Sequence, residues 1–164
     1  MKKIIIFFIY SLFSFEFANA LISVDITRGN LDPLPIAVSP LHVDPKSANY
    51  KDIKVKQLGE KISKIVETNF KNTGLFNPLK KDAFVQKPDI AHLKPRFEDW
   101  RLIKAQALVT GKLLVKDEKL KVEFRLWDTT ASKEMIALAF TTTPSNWRRV
   151  AHIISDKIYE RLTG

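Results

Sequence analysis

Residues 105–143 read AQALVTGKLLVKDEKLKVEFRLWDTTASKEMIALAFTTT, and this stretch decides the fold. It opens on a nearly continuous apolar run through Val115, the composition of a central strand. Asp117 and Glu118 make a polar turn. Leu120, Val122, Phe124 and Leu126 then alternate with Lys121, Glu123, Arg125 and Trp127, the period of a strand with one buried face. Residues 128–132 turn again, and 135–143 return with Ile136, Leu138 and Phe140 inward. Short links between alternating strands predict an antiparallel meander.

The next stretch, WRRVAHIISDKIYERLTG over 147–164, changes period. Trp147, Val150, Ala151, Ile154, Ile158 and Leu162 recur at three-and-four spacing, one face of a helix that packs across the meander. Ser145 is placed to cap its first turn, and Gly164 to end it. Upstream, residues 53–72 predict a second long helix with Leu58, Ile62, Ile65, Val66 and Phe70 buried. Glu60–Lys64 and Glu67–Lys71 are spaced as ion pairs on its outside. Gly59 weakens its first turns and marks its start, and Gly74 stops it.

Between and before these elements the chain is less regular. Ile36-Ala37-Val38 is a short strand stopped by Pro40, and 44–52 is a polar loop. Leu75-Phe76 is a short buried segment ended by Asn77-Pro78. Residues 80–95 are mostly loop, and 97–103 a short helix with Phe97, Trp100 and Ile103 on one side. The fold class is α/β (α+β): a small mixed sheet with a three-strand antiparallel meander, packed by two main helices on one face.

At 164 residues, 45% hydrophobic and 27% charged, the chain is one globular domain. It has no cysteine, which excludes a disulfide framework, a thiolate metal site and a cysteine nucleophile. The formal charge of +9 raises anionic partners, but the lysines are spread along the chain as a solvated surface.

Residues 1–20 read as a signal peptide. Lys2 and Lys3 form the positive region, 4–15 the uncharged apolar region, and Ala18-Asn19-Ala20 the cleavage site, with Ala18 and Ala20 as its small residues. Glu16 interrupts the run too early for a membrane-spanning helix. Cleavage would remove two Lys and one Glu and lower the charge from +9 to +8. The protein is therefore expected outside the cytoplasm, with no recognition element for nucleic acid.

Just after that site, Ile22, Val24 and Ile26 alternate with Ser23, Asp25 and Thr27 before Gly29-Asn30 and two prolines. This apolar strand has two readings: an edge strand of the sheet, or a segment that detaches and adds to a partner.

No catalytic motif is present: there is no nucleophile elbow, no HExxH and no glycine-rich phosphate loop. The three histidines are far apart in sequence, His42 and His92 in proline-flanked loops. His152 stands one turn before Asp156, the spacing of a solvated ion pair more than of a base. Trp100, Trp127 and Trp147 have two readings, the lining of a ligand groove or core and half-buried packing, and packing is the expected one. The chain is expected to be no enzyme, to need no cofactor or metal, and to bind no small-molecule substrate.

Several segments, collinear over 21–164, carry a resemblance. LGEKISKIVETNFKNTGLFNPL, DWRLIKAQALVTGKL, VEFRLWDT, NWRRVAH and IYERLTG resemble the amino-terminal domain of the TolB family of the Tol-Pal envelope system, as does VDITRGNLDPLPIAV after the signal peptide. The resemblance implies a periplasmic location, a part in outer-membrane integrity and invagination at division, and three regions: 1–20 signal peptide, 21–32 mobile segment, 33–164 α/β domain. It implies that the mobile segment contacts a TolA-like inner-membrane protein through Leu21, Ile22, Ser23, Val24, Asp25, Ile26, Thr27, Arg28, Gly29, Asn30, Leu31 and Asp32. In that family a β-propeller follows and binds Pal; no repeat of propeller period stands in this sequence, so Pal is not an expected partner. Residues 44–52 and Asn69-Phe70 look less like the family. Two other readings stay open, a truncated remnant without full function and a basic envelope domain binding polyanions such as lipopolysaccharide.

Overall fold

In the computed structural model, which describes residues 21–25, 32–49 and 52–164, the meander folds as its alternation requires. Strands β4 (Ala107–Lys116), β5 (Lys119–Asp128) and β6 (Lys133–Thr142) pair antiparallel in sequence order. Asp117 and Glu118 both take positive φ, 50° and 57°, the turn geometry whose twist suits a two-residue hairpin. A bulge beside Leu126 and Trp127 shifts the β5–β6 register near the second turn.

The free edge of β4 receives two short parallel strands in succession. β1 (Leu34–Val38) pairs with Ala107–Val109, and β2 (His42–Val43) with Lys112 and Leu113. β3 (Phe76–Pro78) adds in parallel to β1, giving the order β3-β1-β4-β5-β6. The apolar run in β4 is explained by this central place: Ala107, Leu108, Val109, Thr110 and Gly111 are all buried.

The expected long helix is divided. α1 (Ile53–Lys56), capped by the Asp52 carboxylate on Lys54 N at 2.8 Å, ends at Gln57, and α2 (Leu58–Thr73) follows. Leu58, Ile62, Val66 and Phe70 are buried as expected, and Ile65 is half-buried. Gly59 is needed for space. A Cβ there would lie 1.9 Å from the Leu41 carbonyl oxygen, so its absence lets the β1–β2 connection lie directly on the helix. Ser63 fixes that contact: its hydroxyl accepts from Leu41 N at 3.2 Å and lies 3.0 Å from the carbonyls of Ser39 and Gly59.

The four-apart ion pairs expected on α2 do not form. Lys81, from the loop after β3, reaches Glu60 at 2.5 Å and Glu67 at 3.1 Å, while Lys64 meets Glu67 at 3.6 Å. A loop cation facing two carboxylates one helical side apart displaces the local partners.

α3 (Pro88–Ala91), α4 (Phe97–Leu102) and α5 (Trp147–Thr163) complete the chain. The two long helices lie on one face of the sheet, where Ile62, Val66 and Phe70 of α2 and Val150, Ile154, Ile158 and Leu162 of α5 meet Ile36, Val109, Val122 and Phe124. The short helices cover the other face, where Trp100 and Ala91 pack on Ala37 and Leu108. α5 buries the face its spacing indicates, but Ser145 does not cap it. That residue sits in a 3-10 turn (Pro144–Asn146), its hydroxyl 2.9 Å from that of Thr143, and Asn146 precedes the helix. Gly164 takes φ +100° after the last turn, as its place at the helix end suggested.

Candidate functional site

Of the segment 21–32, the described residues are 21–25 and Asp32. Ile26, Thr27, Arg28, Gly29, Asn30 and Leu31 lie outside them, as do Ala18, Ala20 and the whole signal-peptide reading. Residues 21–25 join no strand ladder, which corrects the edge-strand expectation. Their alternation survives in another form: Ile22 and Val24 are half-buried against the main core, while Leu21, Ser23 and Asp25 are exposed.

Two backbone bonds hold the segment. Val24 N–H donates to Leu162 O at 2.6 Å. That carbonyl belongs to the last turn of α5, where no intrahelical donor remains for it. Ile22 N–H donates to Asp128 Oδ2 at 2.9 Å. Asp128 ends β5, is 2% exposed, and accepts Ala131 N–H on Oδ1 at 2.8 Å. One buried carboxylate thus shapes the β5–β6 turn and receives the segment. The sequence offered no signal for this role, because an aspartate before a turn is expected for local reasons alone. A shallow cleft of about 220 Å³, lined by Ser23, Val24, Asp25, Asp32, Pro33, Leu34, Pro35 and Gln106, runs along the docked segment.

The other candidate groups resolve into structural roles. His152 Nδ1 lies 3.0 Å from Asn69 Nδ2, which also donates to Ser155 Oγ at 2.9 Å. The Ser155 hydroxyl in turn donates to Ala151 O at 3.0 Å. These three side chains clamp α2 to α5, with Ser155 4% exposed, at one wall of a shallow cleft of about 210 Å³ that Phe70, Thr73, Asp156 and Tyr159 complete. Trp100 is fully buried with its indole N–H on Gln86 Oε1 at 3.1 Å, and Trp127 donates to Thr110 at 2.9 Å and packs edge-on against Phe97. Trp147 is half-buried under the Arg148 guanidinium at 4.2 Å. The tryptophans are packing residues.

Two of the three histidines, separated in sequence, are together in space. His42 of β2 and His92 after α3 stack with centroids 4.5 Å apart and planes 6° from parallel. Parallel planes keep the in-plane lone pairs of the two rings from converging on one ion. Burial and the neighbouring His92 lower the His42 pKa below the usual imidazole value, against the opposing pull of Asp89 and Asp44. Among the described residues no group of three or more His, Asp or Glu is placed to hold a metal ion.

Fold and site together define a small α/β domain whose amino-terminal segment is laid against its own carboxy-terminal helix. The TolB amino-terminal domain matches residues 22–135. The Tol-Pal system protein TolB of Pelagibacter ubique is 70% identical over 149 residues, 90% of this chain and 33% of that protein. In fold, the chain is similar to the crystal structure of TolB from Acinetobacter baumannii, with TM-score 0.65 and 21% identity over 87% of this chain and 31% of that one. Lipoprotein GNA1162 from Neisseria meningitidis gives TM-score 0.50 and 13% identity over 80% of this chain and all of that one. The chain belongs to the TolB amino-terminal domain family. It spans about a third of the length of the TolB relatives it matches.

Proposed function

We propose that this chain works in the periplasm, after signal-peptide cleavage, as a non-enzymatic interaction domain of the Tol-Pal envelope system. Its task is to present residues 21–32 to a TolA-like inner-membrane protein in support of outer-membrane integrity and invagination at division. The observation that carries the reading is the way 21–25 is held. A segment with alternating apolar side chains rests on the domain through the N–H groups of Ile22 and Val24 and joins no ladder, so strand addition to a partner breaks no sheet pairing.

Pal is not assigned to residues 33–164, because the family resemblance places that contact in a propeller. The test is deletion of 21–32 followed by calorimetric titration with the cognate TolA-like protein. Loss of binding is expected, with the domain still folded and its stability lowered only slightly; binding equal to that of the undeleted chain would overturn the assignment.

A further inference from the structure

The sheet has two edges of different character. β3 is three residues long and carries Pro78; β6 is ten residues long. Proteins discourage strand addition by short edges, prolines, lysines and inward charges. Residues 135–142 of β6, MIALAFTT, contain none of these. On its inner side Ile136 and Phe140 are half-buried, and Leu138, opposite the fully buried Phe124, is 39% exposed. On its outer side Ala137 and Ala139 are exposed and too small to shield the backbone. A cleft of about 210 Å³ opens beside the strand, between Phe140 and the α5 residues Arg149, Val150 and Ile153.

We propose that β6 is a homodimer edge, pairing antiparallel with β6 of a second copy across a twofold axis at Leu138. The sequence of the strand is complementary to itself in that register. Ala137 meets the second copy's Ala139, and Ile136 meets its Phe140, an aliphatic–aromatic pair of the kind that stabilises antiparallel strands. Lys133 and Glu134 fall opposite threonines, so no like charges face each other. Leu138 is covered by its own twin, and the incoming Ile136 lies at the mouth of the cleft beside Phe140. A chain of charge +9 repels its copies over most of its surface, and this neutral strand is where two can approach. The contact is isologous and closes at two copies, leaving no free β6 edge.

Sedimentation equilibrium of the purified chain should show a monomer–dimer equilibrium. Leu138→Lys opposes two ammonium groups at the axis and should abolish the dimer while leaving the far-UV spectrum and melting of the monomer unchanged. Independently, Leu138→Cys, in a chain without other cysteines, should form a disulfide-linked dimer under mild oxidation, whereas Thr142→Cys should not. That pair keeps the register testable even where the lysine variant fails to fold. A chain that stays monomeric, a dimer indifferent to Leu138→Lys, or equal cross-linking through both cysteines overturns the proposal. So does a monomer whose β6 edge instead takes up a strand from a different protein.

Discussion

The first five described residues and the last helix touch, yet they are held by different means. α5 buries Val150, Ala151, Ile154, Ile158 and Leu162, and each large side chain among these contributes about 1.5–3 kcal/mol by leaving water. Residues 21–25 bury only halves of Ile22 and Val24, about 1 kcal/mol each on the same scale. Their two backbone bonds add about 1 kcal/mol for the carbonyl acceptor and about 2 for the carboxylate. Ordering five residues costs about 1 kcal/mol apiece at the low end of the usual range, which offsets those gains. The helix is therefore committed to the fold, while the segment is docked at close to no net free energy. A segment in that balance can be claimed by a competing partner without unfolding anything else.

The sharpest way to break the comparison is Ile158→Ala. It leaves a void among fully buried neighbours and should cost about 2–5 kcal/mol in urea denaturation. A loss much below 1 kcal/mol would mean that α5 is not the anchor described. Asp128→Ala comes next. It removes the acceptor of both Ile22 and Ala131, with an expected cost of about 1–3 kcal/mol for donors left without partners. Hydrogen exchange at Ile22 should quicken in this variant while the amides of β4 stay protected. Deleting residues 21–25 should matter less than that single substitution, by about 1 kcal/mol or under, since Ala131 keeps its acceptor. A deletion as costly as Asp128→Ala would show that the segment belongs to the core.

The smallest effect concerns pH and lies near β2, away from the dock. His42 resists protonation in the folded chain because it is partly buried beside His92. Unfolded, it takes a proton near the ordinary value of about 6.5. Its contribution is thus fully present above that value and declines as pH falls through it. Denaturation midpoints compared above and below that point should show a slight loss on the acid side. An NMR titration of the His42 ring should give a lowered pKa, shifted back upward by His92→Phe, which keeps a stacking ring and removes its charge.

What could be read from the sequence was whatever repeats. The meander, both long helices and the buried faces of α2 and α5 follow from periods of 2 and 3.6, and the family resemblance rests on those same segments. Even there, Leu138 lies on the side the alternation indicates but is not buried, because alternation reports a face and not whether an edge strand is covered. The misses are contacts between distant residues. Lys81 takes Glu60 and Glu67 from their expected helical partners, and the His42–His92 stack joins the two-residue strand β2 to the turn after α3, neither long enough to show a period. Gly59 does mark the start of the long helix, which begins at Leu58, but only the fold shows the Leu41 backbone pressed against it. Asp128, the central residue of the candidate site, resembles any turn aspartate until Ile22 is seen beside it.

The bond between Ile22 and Asp128 spans 106 residues of sequence, and this orders events in time. During folding, local hairpins such as β4–β5 and β5–β6 close early, because short loops cost little entropy. The beginning of the described chain has no dock until the end of β5 and the last turn of α5 are both in place. Residues that precede every other described element thus depend on the domain's last-made parts for their seat.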